Sequence, residues 1–175
     1  MKEIIDIDKK SSFITFILGK ESFAVNVDQV LEIIQLEKLT EIPNASEYIR
    51  GVLNFRGSIV PVINLHKRFG FKASGACNIA VIVNLSAEGS DRLIGLTVEE
   101  VTDVVQFDYK SIRAVPEVGI NIDHEYLEGI VEISKEFVFV LNMNKAFDTS
   151  ELSKLEHPDF IATSTKTEES EEQPG

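Results

Sequence analysis

The chain has no tryptophan, only three tyrosines and a single cysteine in 175 residues, and its 17 lysines and arginines are outnumbered by 29 acids. Each shortage excludes something. Cys77 cannot form an intrachain disulfide, and no second thiol or histidine stands at zinc-type spacing from it, so neither a disulfide frame nor a metal site is expected. The reduced thiol reads as cytosolic. A net charge of −12 with so few stacking aromatics speaks against free nucleic acid, which requires clustered basic charge and aromatic platforms. No apolar run approaches the ~20 residues of a membrane span. The opening "MKEIIDIDKK" mixes charges where a secretion signal would carry an apolar segment. Contact with membranes is therefore expected only through a partner.

Catalytic patterns are also missing. No glycine-rich loop follows a strand and opens a helix, so no nucleotide site is expected. "GKES" resembles a fragment of a phosphate loop, but Ile14 stands where the first glycine of that motif belongs, and the segment reads as a hairpin turn. His66, His124 and His157 have no acid, cysteine or second histidine at ligand spacing and are expected to be ordinary surface or partly buried residues. Glu99, Glu100 and Asp103 in "VEEVTDVV" read as a solvated face beside an apolar stripe. Non-enzyme is the expectation, with no cofactor.

What the chain does contain is short apolar stretches with period-2 alternation: "FITFIL", "SFAVNV", "SIVPVINL", "NIAVIVNL", "RLIGLTV", "EGIVEI" and "EFVFVLNM". They predict an all-β fold of many short strands. At this length about 70% of the extended-chain surface can be buried without any covalent staple. The stretches also repeat. "YIRGVLNFRGSIVPVINLHKRF" aligns without a gap to "YLEGIVEISKEFVFVLNMNKAF", and "VNVDQVLEII" lies over "LTVEEVTDVV". Tyr48, Gly51, Asn64, Lys67 and Phe69 recur as Tyr126, Gly129, Asn142, Lys145 and Phe147. A period of about 75 residues is too long for a solenoid and suits two copies of a small barrel joined as one unit.

Residues common to both copies most economically serve folding. Gly51 and Gly129 are expected to provide a positive φ or a close backbone approach. Pro61 lacks a backbone donor, so its strand is expected at an edge or paired there on one side only. The differences are equally informative: Arg50 lies over Glu128, and Arg56-Gly57 over Ser134-Lys135. Neither arginine is demanded by the repeat, so both are candidates for function. After the second copy, "DTSELSKLE" predicts a short amphipathic helix over 148–156, and the acidic segment 157–175 is expected to be disordered.

From about Phe13 to Phe147 these motifs resemble the CheW-like chemotaxis coupling proteins; "RGVLNFRGSIVPVINL", with "FILGKESFAVNVDQVLEII" before it and "IGLTVEEVTDVV" after it, carries the resemblance. The resemblance implies two pseudo-symmetric five-stranded SH3-like barrels over 13–147, intertwined, with core repeats of about 13–69 and 79–147. It implies a cytoplasmic adaptor without catalysis, monomeric when free and recruited to receptor arrays, that links chemoreceptor tips to the regulatory domain of the histidine kinase CheA. It places receptor contact in a groove between the barrels, with Val30, Glu32, Gly51, Asn54 and Arg56 contributed by one and Val101 and Val104 by the other. Kinase contact is expected at strand-end loops, where the sequence selects no residue.

For Arg56 and Glu32 the plain alternative is an ion pair between neighbouring strands, worth ~0–1 kcal/mol if exposed. A freestanding copy of the kinase regulatory domain, in another chemosensory pathway, is the second reading. The chain has no room for phosphoacceptor, dimerisation or ATP-binding domains.

Overall fold

In a computed structural model, residues 10–87, 90–117 and 122–147 are described. The helix expected over 148–156 and the acidic tail lie outside them. Ten strands follow one another: β1 (Ser11–Leu18), β2 (Glu21–Asn26), β3 (Val30–Gln35), β4 (Ile49–Phe55), β5 (Ser58–Asn64), β6 (Ile79–Ala87), β7 (Ser90–Val98), β8 (Glu100–Phe107), β9 (Leu127–Ile133) and β10 (Glu136–Leu141). One helical turn follows each repeat, α1 (Leu65–Phe69) and α2 (Met143–Ala146). Among the described residues no helix is long and apolar enough to cross a membrane.

The strands form two five-stranded sheets, ordered β8-β1-β2-β10-β9 and β3-β6-β7-β5-β4. Replacing each strand by its counterpart in the other repeat converts one order into the other, so the duplication seen in the sequence is a duplication of structure. The repeats do not coincide with the barrels. The chain places β1 and β2 in the first sheet, builds the second from β3 to β7, and returns to the first with β8 to β10. The exchange is sealed by parallel pairing of β2 with β10 and of β5 with β7. Each sheet therefore needs strands from both halves.

Burial follows the same plan. Phe13, Phe107 and Val138 belong to a small core under the first sheet, and Phe55, Val60 and Ile82 to one under the second. The largest cluster is shared by both sheets and includes Phe16, Phe23, Phe69, Leu85, Phe139 and Phe147. Phe23 is fully buried, with the rings of Phe16, Phe69, Phe71 and Phe139 at centroid distances of 6.0, 6.2, 5.8 and 5.5 Å. Arg68, whose counterpart in the second repeat is Ala146, stands between the equivalent tyrosines. Its guanidinium lies 5.0 Å from the Tyr48 ring and 4.7 Å from the Tyr126 ring, and its Nε donates to the Ala146 carbonyl at 3.1 Å.

The recurring residues have visible backbone tasks. Asn64 and Asn142 cap the two helices by accepting from the Lys67 and Lys145 N–H groups. Their own N–H groups donate to the carbonyls of Tyr48 and Tyr126. Gly51 has φ +150°, and a Cβ there would lie 2.5 Å from the Thr40 carbonyl oxygen. Gly129, at φ +155°, has the Arg113 carbonyl in the same place. Pro61 pairs with Val52 of β4, and the ladder to β7 begins only at Val62, so its missing donor falls on the unpaired side. "GKES" is a two-residue hairpin turn between Leu18 and Glu21, with Gly19 at φ +63°.

Candidate functional site

β3 and β8, equivalent strands of the two repeats, each form an edge of their sheet. Exposed edges are normally protected against further pairing, and a β-bulge is one way to do so. Both edges carry one at the same repeat position. The register slips at Leu31 in β3 and at Thr102 in β8. Thr102 is held by the hydroxyl of Thr15 at 2.7 Å. Leu31 and nearby Ile33 remain exposed, as does Val104, the counterpart of Ile33, at 59%. Val30 and Val101, also counterparts, are half-buried against the core shared by the two sheets. Each edge thus runs from that core to an exposed apolar residue. The sequence reading named Val30, Val101 and Val104 but not Leu31 and Ile33. "VLEII" alone is an unbroken apolar run around one acid, and only the bulge and edge position turn it outward.

Glu32 is exposed on β3 and pairs with the Arg56 guanidinium at 3.6 Å. Arg56 is the first residue of the β4-β5 turn, with φ +50°, followed by Gly57 at +85°. Two positive values mark the type I′ pattern, whose twist suits a hairpin. The same pattern recurs at Ser134 and Lys135. Asn54 closes the turn by accepting the Gly57 N–H at 3.0 Å, and the guanidinium lies 4.8 Å from the centroid of Phe55. The ion pair expected as the plain alternative is present, but it joins β3 to the β4-β5 turn rather than two neighbouring strands, since β3 and β4 stand at opposite ends of the sheet order. With the side chains of Arg56 and Glu32 66% and 43% exposed, the pair adds ~0–1 kcal/mol at most. Its charges remain accessible to a partner. Gly51, in contrast, is buried, so it offers no surface of its own to a partner.

Arg50 departs from expectation. Its Nη1 donates to the Cys77 carbonyl at 2.7 Å, which ties down the loop after α1. It has a task in the fold, although the second repeat has no arginine there.

Two further expectations are corrected. Glu99 is not part of a solvated face, since its side chain is 9% exposed, and His66 is 4% exposed and has an acid and a thiol beside it. Oε1 of Glu99 lies 2.6 Å from His66 Nε2 and accepts the Gly19 and Ser74 N–H groups, both at 2.9 Å. Oε2 accepts the Ser74 hydroxyl at 2.6 Å. On the far side of the ring, Nδ1 is 3.5 Å from Cys77 Sγ. Separations of 11 and 33 residues concealed this group; pairing of β5, β6 and β7 assembles it. Burial works to raise the Glu99 pKa, but the bonds from Ser74, Gly19 and His66 outweigh it and hold the carboxyl at about 2. Burial and the Glu99 charge push the Cys77 thiol up, against the pull of Arg50.

A carboxyl with a lowered folded-state pKa stabilises the fold above its ordinary value of 4.5 and loses that contribution as pH falls towards 2. Glu99→Gln is therefore expected to be ~1–3 kcal/mol less stable than the parent at pH 7. The gap should narrow progressively below pH 4.5. Urea midpoints of both chains between these limits measure it, and a gap independent of pH would show that the anion is not what holds the network.

The architecture and the matched residues agree with known proteins. A family model for the CheW-like domain matches residues 12–151. The chemotaxis protein CheW of Treponema pallidum (strain Nichols) is 32% identical over 152 residues, which cover 85% of this chain and 88% of that protein. CheW of Klebsiella aerogenes is 28% identical over 145 residues, 83% and 86% of the two chains. Protein FrzA of Myxococcus xanthus is 27% identical over 150 residues, 81% and 88% of the two. The crystal structure of the scaffolding protein TtCheW from Thermoanaerobacter tengcongensis matches with a TM-score of 0.70 at 30% identity, over 80% of this chain and 89% of that one. The duplicated five-stranded sheets, the recurring glycines and asparagines and these matches over most of each chain lead to one conclusion: the chain belongs to the CheW-like family of chemotaxis coupling proteins.

Proposed function

We propose that the chain works as a non-catalytic scaffold, monomeric when free, that holds the cytoplasmic tip of a chemoreceptor and the regulatory domain of CheA together at the inner face of the membrane. The receptor contact is assigned to the two bulged edges, with Val30, Val101 and Val104 offering apolar surface and Glu32, Asn54 and Arg56 forming a charged rim. A helical hairpin tip has an apolar face for such edges, and rim charges set its register. Gly51 contributes by letting β4 pass close to Thr40. The observation that carries this assignment is Arg56. It is absent from the second repeat, where Ser134 makes the same turn, so the turn does not require it, and its exposed pair with Glu32 adds little to stability. The freestanding regulatory-domain reading has no observation in its favour.

Alanine at position 56 keeps a Cβ in the same backbone conformation, so the strain is common to both chains and the comparison isolates the guanidinium. Arg56→Ala is expected to weaken binding of a purified receptor tip while its melting temperature stays nearly unchanged. Arg56→Glu, facing Glu32 with a like charge, should lose the receptor and retain CheA. A melting temperature lowered by many degrees with native affinity per folded molecule would overturn the assignment. Loss of neither partner from Arg56→Glu would do so as well.

A further inference from the structure

We propose that Cys77 and His66 form a site for a thiophilic divalent cation such as Zn2+, with Glu99 holding the imidazole in place. In the sequence no ligand pair stands at familiar spacing, and no metal is expected from it. The fold removes that objection by bringing Cys77 Sγ, a ring nitrogen of His66 and a Glu99 oxygen to within 4.8 Å of one another.

The hydrogen bonds settle how the ring is used. Glu99 Oε1 already accepts two backbone N–H groups, and the third group directed at it is His66 Nε2. A carboxylate that only accepts requires Nε2 to be the donor, so Nδ1 is the nitrogen that faces Cys77, and in the neutral ring it is free to take a cation in place of its contact with the thiol. The Sγ to Nδ1 separation is 3.5 Å. Zinc bonds of about 2.3 Å to sulfur and 2.0–2.1 Å to nitrogen, at a tetrahedral angle, span an edge of about 3.5 Å. The two ligand atoms thus already stand at the distance that coordination requires. A histidine that ligates through one nitrogen and gives the other N–H to a carboxylate is the usual support of such sites. Here that carboxylate is itself fixed by Ser74 and Gly19, so the ring cannot turn without breaking the network.

Cys77 is only partly buried, whereas His66 is almost fully enclosed, so the cation would enter from the sulfur side. On binding, the S–H bond breaks, the sulfur–metal bond forms and the proton leaves to solvent. Water would complete the coordination, since Cys77 is only partly buried. Arg50 anchors the Cys77 carbonyl, which fixes the backbone from which the thiol projects.

Co2+ serves as a spectroscopic stand-in for Zn2+ in the test. Titrated into the full chain, it is expected to produce sulfur-to-cobalt charge-transfer absorption in the near ultraviolet that saturates at about one equivalent. Added Zn2+ should abolish the band and slow labelling of Cys77 by an aromatic disulfide at least about tenfold. Cys77→Ala, which removes a partly exposed thiol and leaves the Glu99 network intact, should show no band. A folded parent chain without the band overturns the proposal. So does Zn2+ binding by calorimetry that is identical in parent and Cys77→Ala, which would mean that the acidic surface alone takes the metal.

Discussion

Gly51→Ala is expected to destabilise the protein by about 4 kcal/mol, combining ~1–3 kcal/mol of backbone strain with a similar cost of overpacking. Two independent constraints meet at this residue. Its φ of +150° is one that side-chain-bearing residues rarely adopt, and the new Cβ would fall 2.5 Å from the Thr40 carbonyl oxygen. That oxygen cannot withdraw freely, because it accepts the Val52 N–H at 2.8 Å while the Thr40 N–H donates to Val52 at 3.0 Å. Moving the Thr40 segment therefore breaks the bridge that covers β4.

Gly129→Ala should behave alike, since Arg113 and Ile130 form the equivalent bridge with both bonds at 2.8 Å. Gly75, whose added Cβ would meet nothing closer than 4.0 Å, is the control and should accept alanine without measurable loss. Urea unfolding of the three variants decides the matter. A Gly51→Ala midpoint equal to that of the parent would show that the bridge is not rigid. Because a domain of this kind is stable by only ~5–15 kcal/mol, poor receptor binding by Gly51→Ala has to be corrected for the folded fraction.

Phe23→Ala is expected to cost ~3–5 kcal/mol, the range for a buried aromatic truncated to a methyl group. Its distinctive feature should be the shape of the transition. Phe23 lies in the cluster common to both sheets, among rings from β1, β10, α1 and the loop after α1. Each sheet also contains strands from both repeats. Weakening this core therefore weakens both barrels together, and the variant should unfold in one transition at lower denaturant. Near- and far-ultraviolet circular dichroism followed in the same titration test this. Two separated transitions would mean that the barrels are independent units despite the strand exchange.

Much of the fold was legible because it depends on local pattern. Period-2 alternation marks strands wherever one face is buried, and the ungapped match of Tyr48 to Phe69 with Tyr126 to Phe147 marks a duplication whatever the fold. Gly51, Gly129, Asn64, Asn142 and Pro61 could be assigned backbone tasks because those tasks follow from each residue's own covalent structure. The charged half of the candidate site was legible too, since comparing the two copies isolates Arg56. The same comparison did not show that Arg50 has a task in the fold: an unshared residue can still serve it, and which carbonyl it reaches depends on a loop without periodicity.

By itself, then, the sequence determined the class of fold, its internal repeat and the backbone roles of the recurring glycines, asparagines and proline. It also carried the resemblance that identified the family. Only the tertiary structure decided that each barrel borrows strands from both repeats, that Leu31 and Ile33 face outward at a bulged edge, and that Glu99 is largely enclosed beside His66 and Cys77. The physical reason is range. Alternation, turns and caps are set within a few residues, whereas strand exchange and the His66, Cys77 and Glu99 cluster arise from pairings tens of residues apart, chosen by how the two halves bury their common core.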